Sequence, residues 1–197
     1  MKIIGLTGGI ASGKSTIISA LQRLGAIIID SDEVAHAIIE PDKPAWEDII
    51  ELFGREILND DLTINRAKLG ALVFDNPEYL KELNKITHPR VIERFQDDLC
   101  SIKSRNPDAV VVMEVPLLYE TNLDRICDEV WVVWVDRETQ IKRLMQRESL
   151  DRENAIKRID AQMSLDEKAR RADRVIDNTD NIQETIVIAT KYFNEIL

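Results

Sequence analysis

Five short apolar segments along the chain predict the strands of a β-sheet. They are residues 3–7, 26–30, 109–115, 130–136 and 174–177. Most are β-branched and continuous rather than alternating with polar residues, which is typical of parallel strands that are buried on both faces. Segments with apolar residues at helical spacing separate the strands, as residues 17–24 illustrate. The pattern therefore predicts an α/β fold in which helices cover a mostly parallel, doubly wound sheet of five strands.

The interval between the second and third predicted strands is much longer than a single crossover requires. Its helical patterns are interrupted by prolines at Pro41, Pro44, Asn76-Pro77 and His88-Pro89. Because a proline disfavours helical geometry in the residue before it, we expect short helices here, with His88 extended at a helix boundary. We interpret residues 32–105 as a helical insertion that caps the carboxyl edge of the sheet, where ligands of open α/β sheets bind. The predicted core comprises residues 1–31, 106–136 and 166–197.

Residues 8–16 contain a phosphate-binding loop motif. Their sequence, GGIASGKST, matches G-x-x-x-x-G-K-[ST], with Gly8, Gly13, Lys14 and Ser15 in the defining positions. Glycines allow backbone N–H groups to turn toward an anion, and the N-terminus of the next helix adds the positive end of its dipole. In this motif the lysine reaches the β- and γ-phosphates and the serine hydroxyl ligates Mg²⁺. We therefore predict a nucleotide-phosphate site between the first strand and the first helix.

The overall charge narrows the range of partners. The chain of 197 residues has a formal net charge of −10, and 44% of it is hydrophobic, which is ample for a packed core. An acidic chain disfavours broad binding to nucleic acid or to an anionic membrane. No signal-peptide pattern is visible, and the longest apolar run, residues 130–135, is too short to cross a bilayer. We expect a cytoplasmic protein whose two cysteines, Cys100 and Cys127, are reduced packing residues.

Carboxylates that follow the predicted strands are candidates for chemistry. Asp30 and Asp32 follow the second strand, and Glu114 lies near the end of the third. Phosphoryl transfer uses one carboxylate to accept the proton of the attacking hydroxyl and others to organise Mg²⁺. Two alternatives stay open at this point. Asp30 or Asp32 could cap the next helix, and Glu114 could be a buried acid paired with Lys14 or with a helix terminus. Asp136, after the fourth strand, is expected to cap a helix.

Residues 137–165 form a second segment, which has a local excess of positive charge. Between residues 137 and 158 there are seven lysines or arginines and four acids. Arg143 and Arg147 are four residues apart and therefore share one helix face. Because the segment follows a strand of a nucleotide-binding sheet, we interpret it as an arginine-bearing lid that closes over transferring phosphates. The alternative is an ordinary solvated helix with i,i+4 ion pairs.

A series of short motifs runs along nearly the whole chain. The first group comprises residues 6–10 with 13–16, residues 30–32 with Ala35-His36, Phe53-Gly54, Asn65-Arg66 with Leu69, and Val73-Phe74. The second group comprises His88-Pro89, residues 115–118 with Glu120, Arg143, Arg147, Gln162, Ala172-Asp173, Val175-Ile176 and Asn178. In this order and spacing the motifs resemble those of the dephospho-coenzyme A kinase family. Three positions depart from its commonest pattern: Ser31 and Glu114 replace a common alanine and aspartate, and Asn65 replaces an aspartate.

The resemblance implies a three-layer P-loop kinase that moves the γ-phosphoryl group of ATP to the 3′-hydroxyl of the ribose of dephospho-coenzyme A. The products would be coenzyme A and ADP, in the last step of coenzyme A biosynthesis. The helical insertion, residues 32–105, would be the acceptor-binding domain. The cofactors would be ATP and Mg²⁺.

The resemblance also implies roles for individual residues. Asp32 matches the catalytic base, and Arg143 matches the lid arginine that reaches the phosphates. The ATP phosphate loop would consist of Ala11, Ser12, Gly13, Lys14, Ser15 and Thr16. His88 and Leu117 would contact the acceptor, Asn178 would lie at the adenine end of ATP, and Ser15 with Glu114 would serve the metal ion.

The two alternatives to this function are another small-molecule kinase and a GTP-binding switch. The identity of the acceptor comes only from the resemblance, so another P-loop small-molecule kinase, acting on a nucleotide, nucleoside or sugar, is the alternative. A GTP-binding switch is disfavoured because no Asp-x-x-Gly occurs and Asn84-Lys85-Ile86-Thr87 lacks the acid that reads guanine. We expect small-molecule substrates, no nucleic-acid or membrane partner, and a monomer or small homo-oligomer.

Overall fold

The computed structural model describes residues 1–74 and 76–197. The side chain of Phe74, part of one motif quoted above, lies outside this description. The chain divides into two compact units, of which the first comprises Met1–Asp30 with Lys103–Leu197 and the second comprises Ser31–Ile102. Within the described ranges, no helix has the length and apolar character needed to cross a membrane.

A five-stranded parallel sheet forms the centre of the first unit. The strands are β1 (Lys2–Gly8), β2 (Ile27–Asp30), β3 (Val110–Glu114), β4 (Glu129–Trp134) and β5 (Arg174–Asp177). Their order in the sheet is β2-β3-β1-β4-β5, and every neighbouring pair is parallel. The predicted α/β class and the parallel five-stranded sheet are therefore confirmed. Because the strands are parallel, all of their carboxyl ends lie at one edge of the sheet.

Nine α-helices and two short 3-10 helices, Arg55–Ile57 and Leu123–Ile126, complete the described part of the chain. The α-helices are α1 (Lys14–Arg23), α2 (Ser31–Ala37), α3 (Pro44–Phe53), α4 (Arg66–Phe74), α5 (Pro77–Arg105), α6 (Arg137–Glu148), α7 (Arg152–Asp160), α8 (Leu165–Arg171) and α9 (Ile182–Asn194). Helices α1 and α9 pack together, and their apolar faces join the sheet in one core. Its fully or nearly fully buried members include Ile4, Leu6, Ile17, Leu21, Val112, Trp131 and Phe193. Each such side chain contributes about 1.5–3 kcal/mol by leaving water.

The second unit has its own hydrophobic core. Its buried members are Trp46, Ile49, Phe53, Ile57, Ile64 and Leu69. The indole N–H of Trp46 donates to the carbonyl oxygen of Leu62 at 2.8 Å, so its polar atom is satisfied inside the core. Helix α3 begins at Pro44, as the fixed φ of proline favours, and is followed by Gly54, whose φ is +83°.

The predicted helix boundary at His88-Pro89 is wrong. Helix α5 runs without a break from Pro77 to Arg105 and contains both residues in its interior. Proline removes one backbone donor, but neighbouring contacts hold the helix together at this point. The guanidinium of Arg90 donates to the carbonyl oxygen of Ile86 at 2.7 Å and to the carboxylate of Asp48 at 2.5 Å. A tertiary ion pair therefore supports a helical turn that the local sequence disfavours.

Candidate active site

The phosphate loop joins β1 to α1 and has a backbone that only small residues permit. Gly13, the residue before α1, has a φ of +91°, and Ala11 has a φ of +60°. A Cβ atom on Gly8 would lie 2.8 Å from the carbonyl oxygen of Val133, closer than real contacts allow. The N–H of Ser12 donates to the carbonyl oxygen of Gly9 at 3.2 Å, which closes the turn. The glycines of the motif thus permit a compact loop at the start of a helix.

A cavity of about 350 Å³ opens at this loop. It is lined by Ala11, Ser12, Gly13, Lys14, Ser15, Glu114, Arg143 and Arg147. The structure therefore brings together the predicted phosphate loop, the predicted acid of β3 and the two arginines of α6. Cationic side chains, together with the N-terminus of a helix, favour an anionic ligand here. Thr16 follows Ser15 in α1 and is not among the residues that line the cavity.

One lining residue carries an unsatisfied polar atom. Ser12 is completely buried, and its hydroxyl oxygen has no hydrogen-bond partner among the described residues. A buried hydroxyl without a partner costs about 1–3 kcal/mol, so such atoms are rare unless a ligand or water completes them. Its presence in the wall of this cavity is consistent with a polar ligand.

Two carboxylates lie side by side at the carboxyl edge of the sheet. Asp30, the last residue of β2, is in register with Glu114, the last residue of β3. Paired residues on neighbouring parallel strands are about 4.8 Å apart and point to the same face. Glu114 also lines the cavity that contains the Ser15 hydroxyl. A hydroxyl with one or two carboxylates is a donor set that suits Mg²⁺, which keeps several waters and binds substrate phosphates.

The arginine-bearing helices α6 and α7 pack on each other around their own small core. Its buried members are Ile141, Leu144, Ala155 and Ile159, with Ile10 and Ala11 of the phosphate loop packed against them. Asp136 caps α6 by accepting from the N–H of Thr139 at 3.0 Å, as its position predicted. Hydrogen bonds from the side chain and from the N–H of Thr139 lower the pKa of Asp136. Arg143, on α6, donates to the carbonyl oxygen of Thr179 at 3.2 Å.

Asn178 contacts the phosphate loop through its side chain. Its side chain is buried, and its Nδ2 donates to the carbonyl oxygen of Ser12 at 2.8 Å. Its Oδ1 accepts from the hydroxyl of Thr185 at 3.1 Å. Both ends of the amide are therefore engaged with protein, and the residue fixes the phosphate loop. Its predicted contact with the adenine end of ATP stays a prediction.

The remaining predicted site residues are not among those that line this cavity. Asp32 is in the first turn of α2 and belongs to the second unit. Since α2 begins at Ser31, Asp32 is not the residue that precedes the helix. His88 lies on α5 and lines a groove of about 530 Å³ with Pro77, Leu80, Lys81, Asn84, Lys85 and Pro89. Leu117 follows β3 in the first unit and is 41% exposed.

No sequence motif indicates the role of Lys168. This lysine of α8 is completely buried, and its Nζ donates to the carbonyl oxygen of Pro116 at 2.5 Å. The same Nζ is 3.1 Å from Glu120, whose carboxylate also accepts from the N–H of Met163. Burial lowers the pKa of Lys168 from its usual 10.5. From its charge alone, Lys168 would be expected on the solvated surface. Its burial becomes apparent only from its partners, Pro116 and Glu120, which lie on a loop far away in the chain.

Known proteins with similar sequences and structures point to one family. The family model described as CoaE, dephospho-CoA kinase, matches residues 2–184. A dephospho-CoA kinase from Carboxydothermus hydrogenoformans is 48% identical over 185 residues, which are 94% of this chain and 89% of that protein. The crystal structure of TT1252 from Thermus thermophilus has a TM-score of 0.85 at 34% identity and covers 100% of this chain and 97% of its own. Dephospho-CoA kinase from Campylobacter jejuni has a TM-score of 0.77 at 32% identity, with 100% and 98% covered. With this agreement over almost all of its length, the chain belongs to the dephospho-CoA kinase family.

Proposed function

We propose that the protein transfers the γ-phosphoryl group of ATP to the 3′-hydroxyl of the ribose of dephospho-coenzyme A. The observation that carries the proposal is the cavity at the phosphate loop, where Lys14, Glu114 and Arg143 meet at the carboxyl edge of the sheet. A chain of the dephospho-CoA kinase family with this cavity has the parts that phosphoryl transfer requires, namely positioning and positive charge around the phosphates. The products are coenzyme A and ADP.

The phosphate loop holds the triphosphate of ATP. Backbone N–H groups of residues 11–16 surround the phosphates, and Lys14 neutralises charge on the β- and γ-phosphates. Arg143 lines the same cavity and stabilises the negative charge that spreads over the transferring group. Arg147, on the same wall, adds a second guanidinium.

The donor set of the cavity suits a magnesium ion. Ser15 and Glu114 would hold it, and Asp30 is the register neighbour of Glu114. Held there, Mg²⁺ would supply positive charge that offsets the negative charge developing on the phosphates during transfer.

The transfer step needs a proton acceptor for the ribose hydroxyl. We assign this role to Asp32, whose carboxylate takes the proton as the 3′-oxygen attacks the γ-phosphorus. A new P–O bond to the ribose forms while the bond between the γ-phosphorus and the β,γ-bridging oxygen breaks. The electron pair of that bond leaves with ADP, so atoms and charge balance.

The second unit contributes the acceptor-binding residues in this proposal. His88 lies in a groove on α5 whose wall also contains Lys81 and Lys85, and cationic side chains suit the diphosphate of dephospho-coenzyme A. Leu117, exposed after β3, supplies an apolar contact. Residues 32–105 act as the acceptor domain and residues 137–165 as the lid.

The test is ADP release by the purified protein with Mg²⁺-ATP and a panel of acceptors. The panel is dephospho-coenzyme A, adenosine, AMP and a simple sugar, with Lys14→Ala and the exposed Lys191→Ala as matched variants. We expect turnover with dephospho-coenzyme A alone, a product phosphorylated at the 3′ position, and loss of turnover only in Lys14→Ala. Turnover with another acceptor would replace the proposed substrate, and no turnover with any acceptor despite ATP binding would contradict the kinase assignment.

A further inference from the structure

Two glutamine side chains hold one residue of the phosphate loop by both of its backbone groups. The N–H of Ile10 donates to Oε1 of Gln162 at 3.0 Å, and Nε2 of Gln140 donates to the carbonyl oxygen of Ile10 at 2.9 Å. Gln140 lies in the first turn of α6 and is 4% exposed, and Gln162 follows the end of α7. Neither glutamine is among the residues that line the phosphate cavity. Any effect they have on the bound phosphates is therefore indirect.

The surrounding packing strengthens this arrangement. Ile10 and Ala11 pack against the buried core that joins α6 to α7. A Cβ atom on Gly9 would lie 2.5 Å from Nε2 of Gln140, so glycine at this position is what lets the amide approach the loop. Apolar contact and two hydrogen bonds thus connect the loop to the pair of helices.

The two glutamines lie at opposite ends of the arginine-bearing segment of the chain. They bracket residues 141–161, which include Arg143 and Arg147 of the cavity wall. Both ends of the arginine-bearing segment are therefore attached to the same residue of the phosphate loop.

We propose that Gln140 and Gln162 are positioning residues that act through Ile10. They orient the phosphate loop for its ligand and couple the loop to the arginines of α6. We call the unit of Ile10, Gln140 and Gln162 the Ile10 clamp. The effect of the clamp on kcat and KM rests on the proposed function, whereas its effect on hydrogen exchange of the Ile10 amide can be measured without turnover.

The test uses the fact that the two glutamines have opposite hydrogen-bonding roles. Gln162 accepts, so Gln162→Glu keeps its function, whereas Gln162→Met removes it. Gln140 donates, so Gln140→Glu places an acceptor against the carbonyl oxygen of Ile10. We expect Gln140→Glu and Gln162→Met to lower kcat and raise KM for ATP, with kcat/KM reduced about tenfold, the effect of one lost part-buried hydrogen bond. KM for the acceptor should not change, and Gln162→Glu should stay within about twofold of the wild type in kcat/KM.

Hydrogen exchange of the Ile10 amide in the protein without nucleotide gives an independent readout. Its protection should persist in the wild type and in Gln162→Glu but be lost in Gln162→Met, because only the methionine lacks an acceptor. Gln146→Met is the matched control, since Gln146 is exposed on the same helix α6. Should Gln140→Glu fail to fold, Gln140→Met removes the donor without adding charge.

The proposed positioning role of the Ile10 clamp is wrong if Gln162→Met matches Gln146→Met both in the hydrogen exchange of the Ile10 amide and in kcat/KM. It is also wrong if Gln162→Glu and Gln162→Met are equally impaired, because the acceptor would then be irrelevant. If the wild type does not phosphorylate dephospho-coenzyme A, the proposed substrate fails while the exchange measurement still decides on the clamp.

Discussion

Replacing Lys168 with methionine removes a buried charge that links α8 to the loop after β3. The Nζ of Lys168 donates to the carbonyl oxygen of Pro116 and pairs with Glu120 at 3.1 Å. Methionine has a similar length and is apolar, so the substitution deletes these two contacts without leaving a large cavity. The measured change in the free energy of unfolding therefore reports on the two polar contacts.

The structure sets the expected size of this change. Removing one partner of a fully buried ion pair costs about 3–5 kcal/mol because the other charge is left uncompensated. Here both former partners keep a donor: Pro116 accepts from the hydroxyl of Thr7 at 3.2 Å, and Glu120 from the N–H of Met163 at 3.0 Å. The side chain of Glu120 is also 24% exposed, so water can hydrate it. We therefore expect a loss of about 2–3 kcal/mol.

The loss of stability should depend on pH with a definite sign. Burial lowers the pKa of Lys168 below its usual 10.5, so the folded protein releases this proton at a lower pH than the unfolded chain. Stability rises with pH wherever the unfolded state binds more protons. The wild type should thus gain stability relative to Lys168→Met as the pH rises toward 10.5, and the gap between the two should widen.

Urea unfolding of the wild type, Lys168→Met and the exposed control Lys191→Met at neutral and alkaline pH measures this gap. The m-values should be equal, because neither substitution changes the surface that unfolding exposes. Lys191→Met should match the wild type. A Lys168→Met protein as stable as the wild type, or a gap that narrows as the pH rises, would refute the reasoning. Since Pro116 adjoins Leu117, a raised KM for the acceptor in Lys168→Met would also agree with the proposed acceptor contact.

Three further predictions concern the site and its helices. Lys14→Ala should lose most turnover, because charge on the β- and γ-phosphates is no longer neutralised, and near-normal turnover in folded protein would contradict the phosphate-loop assignment. Asp32→Asn should bind ATP nearly as well as the wild type while kcat falls severely, since a proton acceptor acts mainly in the transition state; an unchanged kcat would move the base elsewhere. Asp136→Asn should be less stable than the wild type at neutral pH. Its disadvantage should shrink below pH 3.8, because hydrogen bonds from the side chain and the N–H of Thr139 lower the pKa of Asp136, and protonation there weakens the cap in the wild type. Thermal unfolding of both proteins at neutral pH and below pH 3.8 measures this difference in stability. A difference that is the same at the two pH values would contradict the prediction.

Local regularities of the sequence predicted the elements well. Continuous β-branched runs predicted all five strands, and the observed strands begin and end within two residues of the expected positions. The glycines and the lysine of residues 8–16 predicted a phosphate loop because the steric demands of such a loop fall on consecutive residues. Pro44 and Pro77 lie at helix boundaries as expected, since each is the first residue of its helix. The same rule failed at Pro89, which lies inside α5 beside Arg90, whose guanidinium pairs with the distant Asp48.

The sequence by itself determined the features that a short stretch of chain specifies. These are the choice between strand and helix in each segment, the conformation of the phosphate loop and the family. Only the tertiary structure decided which distant residues become neighbours. The order of the strands places β3 beside β2, and this brings Asp30 next to Glu114. The fold likewise brings Gln140 and Gln162 to Ile10, because hydrogen bonds between residues far apart in the chain depend on the packing of whole elements. No local pattern contains that information.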